Sequence, residues 1–262
     1  MILMQNVTKA FGDVVAVHEV DLEVARSEIL CVVGPSGCGK STLLNMIAGF
    51  DTPTSGQVVA DGTPVTRPGP DRAVVFQSDA LLPWLTVYEN VVLGPKALGR
   101  KDYQRRAEEL LEHVHLTRFR DSYPYQLSGG MRQRAAIARV LIGDLRVLLM
   151  DEPFGALDAQ TRSRMQELVQ AIWQEERMTI FFITHDIEEA LLLGHRVLVM
   201  SAAPGRFIED IRVDFPHPRG LSITTEPEFN QMKARVLALL HPELEAATGP
   251  DAGDAIKRTD AG

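Results

Sequence analysis

The chain has 262 residues, of which 24% are charged and 45% hydrophobic, and a formal net charge of −8. This composition is typical of a globular protein with one large or two small domains, and the acidic balance argues against a nucleic-acid binder or direct adhesion to anionic lipid. No apolar run approaches the ~18 residues of a membrane span, no export signal is visible, and Cys31 and Cys38 form no disulfide framework. We therefore expect a reduced, cytoplasmic protein.

The first 30 residues are predicted to form strands. Val20, Leu22 and Val24 alternate with acidic residues, which is typical of a half-buried antiparallel strand. Phe11 lies at the predicted end of the first strand, and periodicity alone favours a core or turn aromatic there. Asp61-Gly62 is a hairpin signal.

A glycine-rich segment follows the apolar run 28–33 and fits the pattern G-x-x-x-x-G-K-[ST]. It consists of Gly34, Pro35, Ser36, Gly37, Cys38, Gly39, Lys40, Ser41 and Thr42. Apolar residues at helical spacing come next and end at Gly49. Strand, glycine loop and helix together predict a phosphate-binding site rather than a chance turn.

The residue types in this loop have definite chemistry. Glycines let consecutive backbone N–H groups converge on an anion, and the helix N-terminus adds partial positive charge. Lys40 would neutralise β- and γ-phosphate oxygens, and the Ser41 hydroxyl would ligate Mg²⁺. Because Cys38 lies inside the loop, we expect its alkylation to block nucleotide binding and bound ATP to protect it.

Residues 78–145 carry mostly helical signals. Thr86 is a candidate N-cap for a helix over 87–93, and Ser128 for one over 131–142. One apolar helix face is formed by Tyr103, Ala107, Leu110, Leu111 and Val114. Leu127-Ser128-Gly129-Gly130 is a helix start with a hydroxyl and two glycines, and so a second potential anion site.

Polar side chains end three further predicted strands, at 73–76, 147–150 and 179–183. Asp151 is suited to hold Mg²⁺, and Glu152 to orient an attacking water and take its proton. His185 could bond the γ-phosphate, and the Gln77 amide oxygen could ligate Mg²⁺ or the water. The alternatives are a strand-terminating turn at Asp-Glu-Pro and a structural histidine. In open α/β sheets ligands bind at the carboxyl ends of strands, so we expect these residues around one nucleotide.

With these motifs in order, the chain resembles the ATP-binding subunit of an ATP-binding cassette (ABC) transporter over residues 1–240. The corresponding motifs are Gly34–Thr42 for Walker A, Gln77 for the Q-loop, Leu127–Gly130 for the signature, Val147–Glu152 for Walker B, Ala156–Asp158 for the D-loop and His185 for the switch histidine. The resemblance implies that Phe11 stacks on adenine and that Ser128, Gly129 and Gly130 complete the ATP site of a second copy, or of a homologous cassette, in a head-to-tail dimer. Met131 replaces a common glutamine one residue beyond the cradle.

The resemblance also implies a fold: an α/β P-loop NTPase (RecA-like) core over 1–77 and 146–215, with an N-terminal antiparallel β-subdomain and an inserted α-helical subdomain over 78–145. The residues themselves predict a last strand over 211–215 and a helix over 225–240 opened by a capping box at Thr225. The Ala/Gly/Asp/Pro-rich stretch 241–262 is predicted to be a disordered tail.

Residues 76–91 and 200–219 are similar to importers of the nitrate, sulfonate and taurine group. This implies a membrane permease, an extracytoplasmic solute-binding protein, and a peripheral position on the cytoplasmic face of the membrane. Leu82 and Trp84 would then lie near the groove for the permease, although Trp84 is equally well explained as a core residue. The competing hypotheses are an importer of bicarbonate or a thiamine precursor, a non-transport cassette ATPase, and a small-molecule P-loop kinase.

Overall fold

The computed structural model describes residues 1–77, 81–143 and 145–248. The chain divides into two compact units, the first formed by Met1–Pro68 with Phe181–Gly262 and the second by Gly69–Ile180. The strands in the described part are β1 (Ile2–Phe11), β2 (Val14–Val24), β3 (Ile29–Val33), β4 (Ser55–Ala60), β5 (Thr63–Pro64), β6 (Arg72–Val75), β7 (Val147–Asp151), β8 (Thr179–Ile183), β9 (Arg196–Met200) and β10 (Phe207–Arg212). The helices there are α1 (Lys40–Ala48), α2 (Val87–Ala97), α3 (Gln104–His113), α4 (Gly129–Leu141), α5 (Ala159–Glu176), α6 (Ile187–Leu193) and α7 (Pro227–Thr248).

An antiparallel sheet of order β2-β1-β4-β5 lies in the first unit. Val20, Leu22 and Val24 of β2 are buried, as their alternation predicts. Asp61 and Gly62 join β4 to β5 with φ of 47° and 79°, so both central residues of this two-residue hairpin turn are left-handed. The predicted N-terminal β-subdomain and its hairpin are confirmed.

A parallel strand pair positions the glycine loop in the same unit. All five residues of β3 are buried, and β3 pairs in parallel with β9, which pairs antiparallel with β10. An all-buried strand is an almost continuous apolar run because both of its faces are covered. The helix α1 ends at Gly49, whose φ of 82° gives the left-handed cap that glycine adopts without strain.

Among its described residues, the second unit contains the parallel pair β6–β7 and the α-helices α2 to α5. Thr86 caps α2 in a capping box: its side chain accepts from the backbone N–H of Glu89, and the Glu89 carboxylate accepts from the backbone N–H of Thr86. Ala107, Leu110 and Leu111 on α3 are buried, as predicted. Apolar residues at helical spacing on α5 are buried too: Met165, Leu168, Val169, Ile172 and Trp173. The predicted helical segment 78–145 lies within this unit; its residues 78–80 and 144 are outside the described residues.

The C-terminal part departs from the sequence prediction in two places. The last strand covers Phe207–Arg212 rather than 211–215, and two prolines, at positions 216 and 218, follow closely, where they cannot donate to a ladder. The hydroxyl of Thr225 donates to the Ser222 carbonyl at 2.8 Å and does not cap the next helix.

The helix α7 extends to Thr248, so the first part of the predicted tail is helical. The stretch 243–247 is rich in Glu, Leu and Ala, which favour helix and outweigh the overall composition of 241–262. The Glu243 carboxylate also accepts from the Ala202 N–H at 2.6 Å, which anchors this extension. Residues 249–262 lie outside the described residues. None of the described helices is long and apolar enough to cross a membrane.

Candidate active site

The glycine loop between β3 and α1 has the backbone that its sequence predicts. Gly37 and Gly39 have φ of 76° and 97°, in the region that favours glycine. A Cβ on Gly39 would also lie 2.8 Å from both the Ala16 carbonyl oxygen and Val17 Cγ2, so this glycine is required on two grounds. The loop thus turns tightly against β2 and leads its N–H groups into the start of a helix.

The Lys40 ammonium group lies inside this loop. The residue is 7% exposed, and its Nζ donates to the carbonyls of Gly34 at 2.8 Å and Pro35 at 2.7 Å. A buried ammonium group gains most from a charged acceptor, because charge-assisted hydrogen bonds are about twice as strong as neutral ones. Phosphate oxygens would therefore be better partners for Lys40 than the loop carbonyls.

The Cys38 side chain points away from solvent. It is 1% exposed, and its Sγ lies 3.6 Å from Lys40 Nζ. Burial raises the pKa of the Cys38 thiol, and the nearby Lys40 charge offsets that rise only in part. The reactive thiolate is therefore scarce, and Cys38 can serve a nucleotide only through its backbone.

Phe11 ends β1 as an exposed aromatic side chain, which excludes the core alternative. It is 52% exposed, pairs with Val14 across the hairpin, and has Lys9 Nζ 4.7 Å from its ring centroid. The same hairpin strand β2 carries Ala16, which contacts the glycine loop as described above. An exposed aromatic ring is suited to stacking on a base.

His185 lies in the same unit, just after β8. The Thr184 N–H donates to the Val32 carbonyl at 3.3 Å, which puts the end of β8 beside the end of β3, where the glycine loop begins. The Thr184 hydroxyl accepts from the Asp186 N–H at 3.0 Å, and Asp186 caps α6. His185 is therefore exposed between two anchored neighbours.

The two carboxylates predicted at a strand end lie in the second unit. Four buried residues of β7 lead to Asp151, and the next residue, Glu152, has a φ of 45°. A left-handed conformation is unfavourable for a non-glycine residue, so the surrounding structure must hold Glu152 in it. Gln77 Nε2 donates to Glu152 Oε2 at 3.2 Å, so the structure brings these two predicted residues together.

The segment Leu127–Gly130 forms a helix start in this unit, as predicted. The Ser128 hydroxyl oxygen accepts from the Met131 N–H at 3.3 Å, which makes Ser128 the N-cap of α4. Arg132 Nη1 donates to the Leu127 carbonyl at 2.9 Å and fixes the turn that precedes the cap. Ser128 and Gly129 are exposed, so the positive end of the helix dipole faces outward.

The predicted D-loop residue Asp158 has a structural task of its own. Its carboxylate accepts from the Thr161 N–H at 3.0 Å and the Thr161 hydroxyl at 2.7 Å, as the N-cap of α5. These hydrogen bonds lower the pKa of Asp158. A Cβ on Gly130 would meet Leu157 Cδ2 at 3.4 Å, so the D-loop packs on the start of α4.

Comparison with known proteins identifies the family. A family model described as "ABC transporter" matches residues 17–155. The chain belongs to the ABC transporter family. The taurine import ATP-binding protein TauB of Rhizobium johnstonii is 48% identical, covering 86% of this chain and 89% of its own length. The nitrate import ATP-binding protein NrtD of Synechococcus elongatus is 46% identical, covering 88% and 86% respectively.

A solved dimeric structure of the ATP-binding cassette MJ0796, in a post-hydrolysis state with ADP and Pi, is similar in fold. Its TM-score is 0.74 at 33% identity, and the match covers 82% of this chain and 100% of that chain. The α/β P-loop NTPase fold expected for an ABC cassette is thereby confirmed.

The ABC motifs are divided between the two units of this chain. Phe11, the glycine loop and His185 belong to the first unit, and the remaining predicted site residues belong to the second: Gln77, Ser128, Gly129, Gly130, Asp151, Glu152 and Asp158. Within each unit the structure shows the local geometry of the motifs. Their assembly around one nucleotide is part of the function proposed below.

Sequence reasoning missed two residues that shape this ABC site. A Cβ on Gly205 would lie 2.0 Å from the Cys38 carbonyl oxygen, so Gly205 lets another loop pack against the phosphate loop. Gln133 is 2% exposed and donates Nε2 to the Phe76 carbonyl at 3.3 Å. The Pro-Gly dipeptide at 204–205 predicts a turn but does not predict that the turn packs against the phosphate loop. A glutamine between two arginines near a helix start gives no indication that it is buried.

Proposed function

We propose that this chain is the ATPase subunit of an importer that takes up taurine, nitrate or a similar small anion. Relatives named as taurine and nitrate import ATP-binding proteins, 48% and 46% identical, support this assignment. The chain is an ABC ATPase, and ATP is its substrate. Hydrolysis drives import by opening and closing a pair of cassettes, because ATP stabilises the closed pair only while it contacts both copies.

The binding step uses two anion-binding helix starts of the same type. The triphosphate is held by Gly34–Thr42 of one copy, with adenine on Phe11. The Ser128–Gly130 helix start of the second copy covers the γ-phosphate from the opposite side. The observation that carries this proposal is that the helix start is fixed by the Arg132–Leu127 hydrogen bond and exposed at Ser128 and Gly129, although its own chain already has a phosphate loop. A P-loop kinase has no use for a second such element.

The hydrolytic step assigns Glu152 as general base. The carboxylate takes a proton from the water that attacks the γ-phosphorus, and the bond to the β–γ bridging oxygen breaks. Gln77 orients the carboxylate through the 3.2 Å hydrogen bond. His185, exposed between anchored neighbours, donates a hydrogen bond to the γ-phosphate.

The residues proposed for Mg²⁺ fit that ion by chemistry. Ser41, Gln77 and Asp151 offer hydroxyl, amide and carboxylate oxygens, the hard donors that Mg²⁺ prefers. Ser41 is exposed at the start of α1, and Asp151 is partly exposed at the end of a buried strand, so neither side chain is closed off from solvent. When bound, Mg²⁺ would neutralise charge on the phosphate oxygens.

A surface on the second unit is proposed to dock the permease. Trp84 is 68% exposed, which excludes the alternative of a core residue. Backbone bonds from Val87 to Ser122 and from Tyr88 to Arg120 hold the start of α2 beside the segment that leads to Tyr125, which is 76% exposed. Aromatic residues are enriched at protein–protein interfaces relative to the rest of the surface. Through this surface the chain is placed at the cytoplasmic face of the membrane, and a solute-binding protein delivers the anion on the other side.

The proposal is tested with Glu152→Gln. We expect ATP binding to be retained, turnover to fall by about two orders of magnitude, and sedimentation to show an ATP-dependent dimer. Near wild-type hydrolysis would refute the role of Glu152, and phosphate transfer to an acceptor other than water would favour a kinase. Uptake of taurine, nitrate and alkanesulfonates, compared in a strain lacking this chain, identifies the solute.

A further inference from the structure

Gln133 is a buried amide in the second turn of α4, the helix that begins with the exposed Ser128 cap. It is 2% exposed, and its Nε2 donates to the Phe76 carbonyl at 3.3 Å. A buried amide that loses its hydrogen bond costs free energy. The bond between Gln133 and the Phe76 carbonyl therefore holds that carbonyl in position. Gln133 thus ties α4 to the end of β6.

The Phe76 carbonyl belongs to the same planar peptide group as the Gln77 N–H. Holding this plane restricts the direction in which the Gln77 side chain leaves the backbone. That side chain donates to Glu152 Oε2 at 3.2 Å. A continuous path therefore runs from α4 through Gln133, the 76–77 peptide and Gln77 to Glu152, and every part of it lies in the second unit.

We infer that Gln133 is a positioning residue that couples the Leu127–Gly130 helix start to Glu152 of the same copy. The inference rests on the proposed function, in which that helix start contacts the nucleotide bound by the partner's phosphate loop. Glu152 serves the nucleotide bound to its own copy. The Gln133 path therefore connects the two nucleotides of the dimer: occupancy of one site sets the general base of the other.

The decisive experiment uses mixed dimers purified with two different affinity tags. One copy carries Glu152→Gln, so that only the other copy hydrolyses ATP. Gln133→Met, which keeps the side-chain length but removes the amide donor, is placed either in the active copy or in the inactive one. We expect kcat to be about five- to tenfold lower when it is in the active copy than when it is in the inactive copy, the scale of one lost hydrogen bond. The KM for ATP should change less than twofold.

A lower kcat with Gln133→Met in the inactive copy than in the active copy would have a different meaning. The active site uses the helix start of the inactive copy, so simple damage to α4 would lower turnover most when Gln133→Met is in the inactive copy. That result, or equal rates in the two arrangements, would overturn the coupling. Gln170→Met, a buried amide on α5 that is 1% exposed, controls for the loss of any buried amide in this unit and should leave the ratio near one. If Gln133→Met does not fold, Gln133→Asn takes its place, because it retains the amide but is too short to reach Phe76. The same ratio of kcat between the two arrangements is expected.

One further arm separates this inference from the proposed function. Ser128→Arg in the inactive copy should abolish hydrolysis by the active copy, because a large side chain then fills the shared cradle. If hydrolysis continues, the shared site itself is contradicted. If hydrolysis stops but Gln133→Met gives equal rates in both arrangements, the shared site stands and only the coupling through Gln133 is wrong.

Discussion

Replacing Gly39 with alanine adds one carbon atom to the turn that carries the phosphate-binding N–H groups. Gly39 has a φ of 97°, and its added Cβ would lie 2.8 Å from the Ala16 carbonyl oxygen and from Val17 Cγ2. The valine methyl can move, but the carbonyl belongs to the backbone of a paired strand. The loop must therefore leave its observed conformation or displace β2.

The size of the effect follows from two costs. A left-handed φ costs an L-residue about 1–3 kcal/mol, and relief of the close contacts adds about 1–3 kcal/mol. A total near 3 kcal/mol lowers the binding-competent fraction of the loop, and so raises the Kd for ATP, about 100-fold. Gly37 is the matched control: its φ is 76°, but a Cβ there would meet nothing within 4 Å. Gly37→Ala should raise the Kd only about tenfold, from the φ term alone.

The assay is isothermal titration of each variant with ATP and Mg²⁺ in the Glu152→Gln background, so that hydrolysis does not interfere. Thermal melting should show both variants folded. A Kd for Gly39→Ala within twofold of the parent would refute the loop geometry. An equal rise in Kd for the two glycine variants would show that the close contact between residue 39 and β2 has no effect on ATP binding.

Four further predictions concern single residues. Lys40→Met should weaken ATP binding at least tenfold, on the scale of one charge-assisted hydrogen bond, about 1.5–3 kcal/mol; an unchanged Kd would argue against the cradle. Trp84→Ala should change the free energy of unfolding by less than about 0.5 kcal/mol while abolishing co-purification with the permease; retained co-purification would move the docking surface elsewhere. Asp158→Ala should destabilise the chain by about 1 kcal/mol in urea unfolding, as loss of an N-cap; a neutral result would mean that the cap is dispensable. Burial and the charge of Arg219 lower the pKa of His217 to about 3, so the unfolded chain binds a proton that the folded chain does not. Stability should therefore fall as pH drops from about 6.5 toward 3, by up to about 1.4 kcal/mol per pH unit, and urea unfolding of His217→Gln should show a shallower decline.

The features that could be predicted from sequence are those governed by local chemistry. The glycine loop, the Thr86 and Ser128 caps and the Asp61-Gly62 hairpin each depend on residues a few positions apart. Their backbone conformations follow from two local effects: glycine adopts left-handed φ values, and hydroxyl and carboxylate groups accept hydrogen bonds from nearby backbone N–H groups. The hydrogen bond between Gln77 and Glu152 was not predicted; the strand-end rule placed both residues only around one nucleotide, and the structure shows the contact.

The features that could not be predicted depend on distant contacts. The position of Cys38 in the loop could be predicted, but not the burial of its side chain, which lies against Lys40 inside the loop. Gln133 gives no sign in sequence that its amide is buried against Phe76, which is far away along the chain. The extension of α7 to Thr248 was missed because composition was averaged over a stretch whose first part favours helix.

The shared nucleotide site is tested most directly by complementation. Lys40→Met disables the phosphate loop of its own copy, and Ser128→Arg disables the helix start of its own copy, so each pure homodimer should be inactive. In a mixed dimer, the intact loop of the Ser128→Arg copy faces the intact helix start of the Lys40→Met copy. We predict that the mixed dimer hydrolyses ATP clearly faster than either homodimer but at less than half of the wild-type rate, because its second site is disabled and cannot act through Gln133. A mixed dimer with no activity above either homodimer, although both variants fold and associate, would contradict the account.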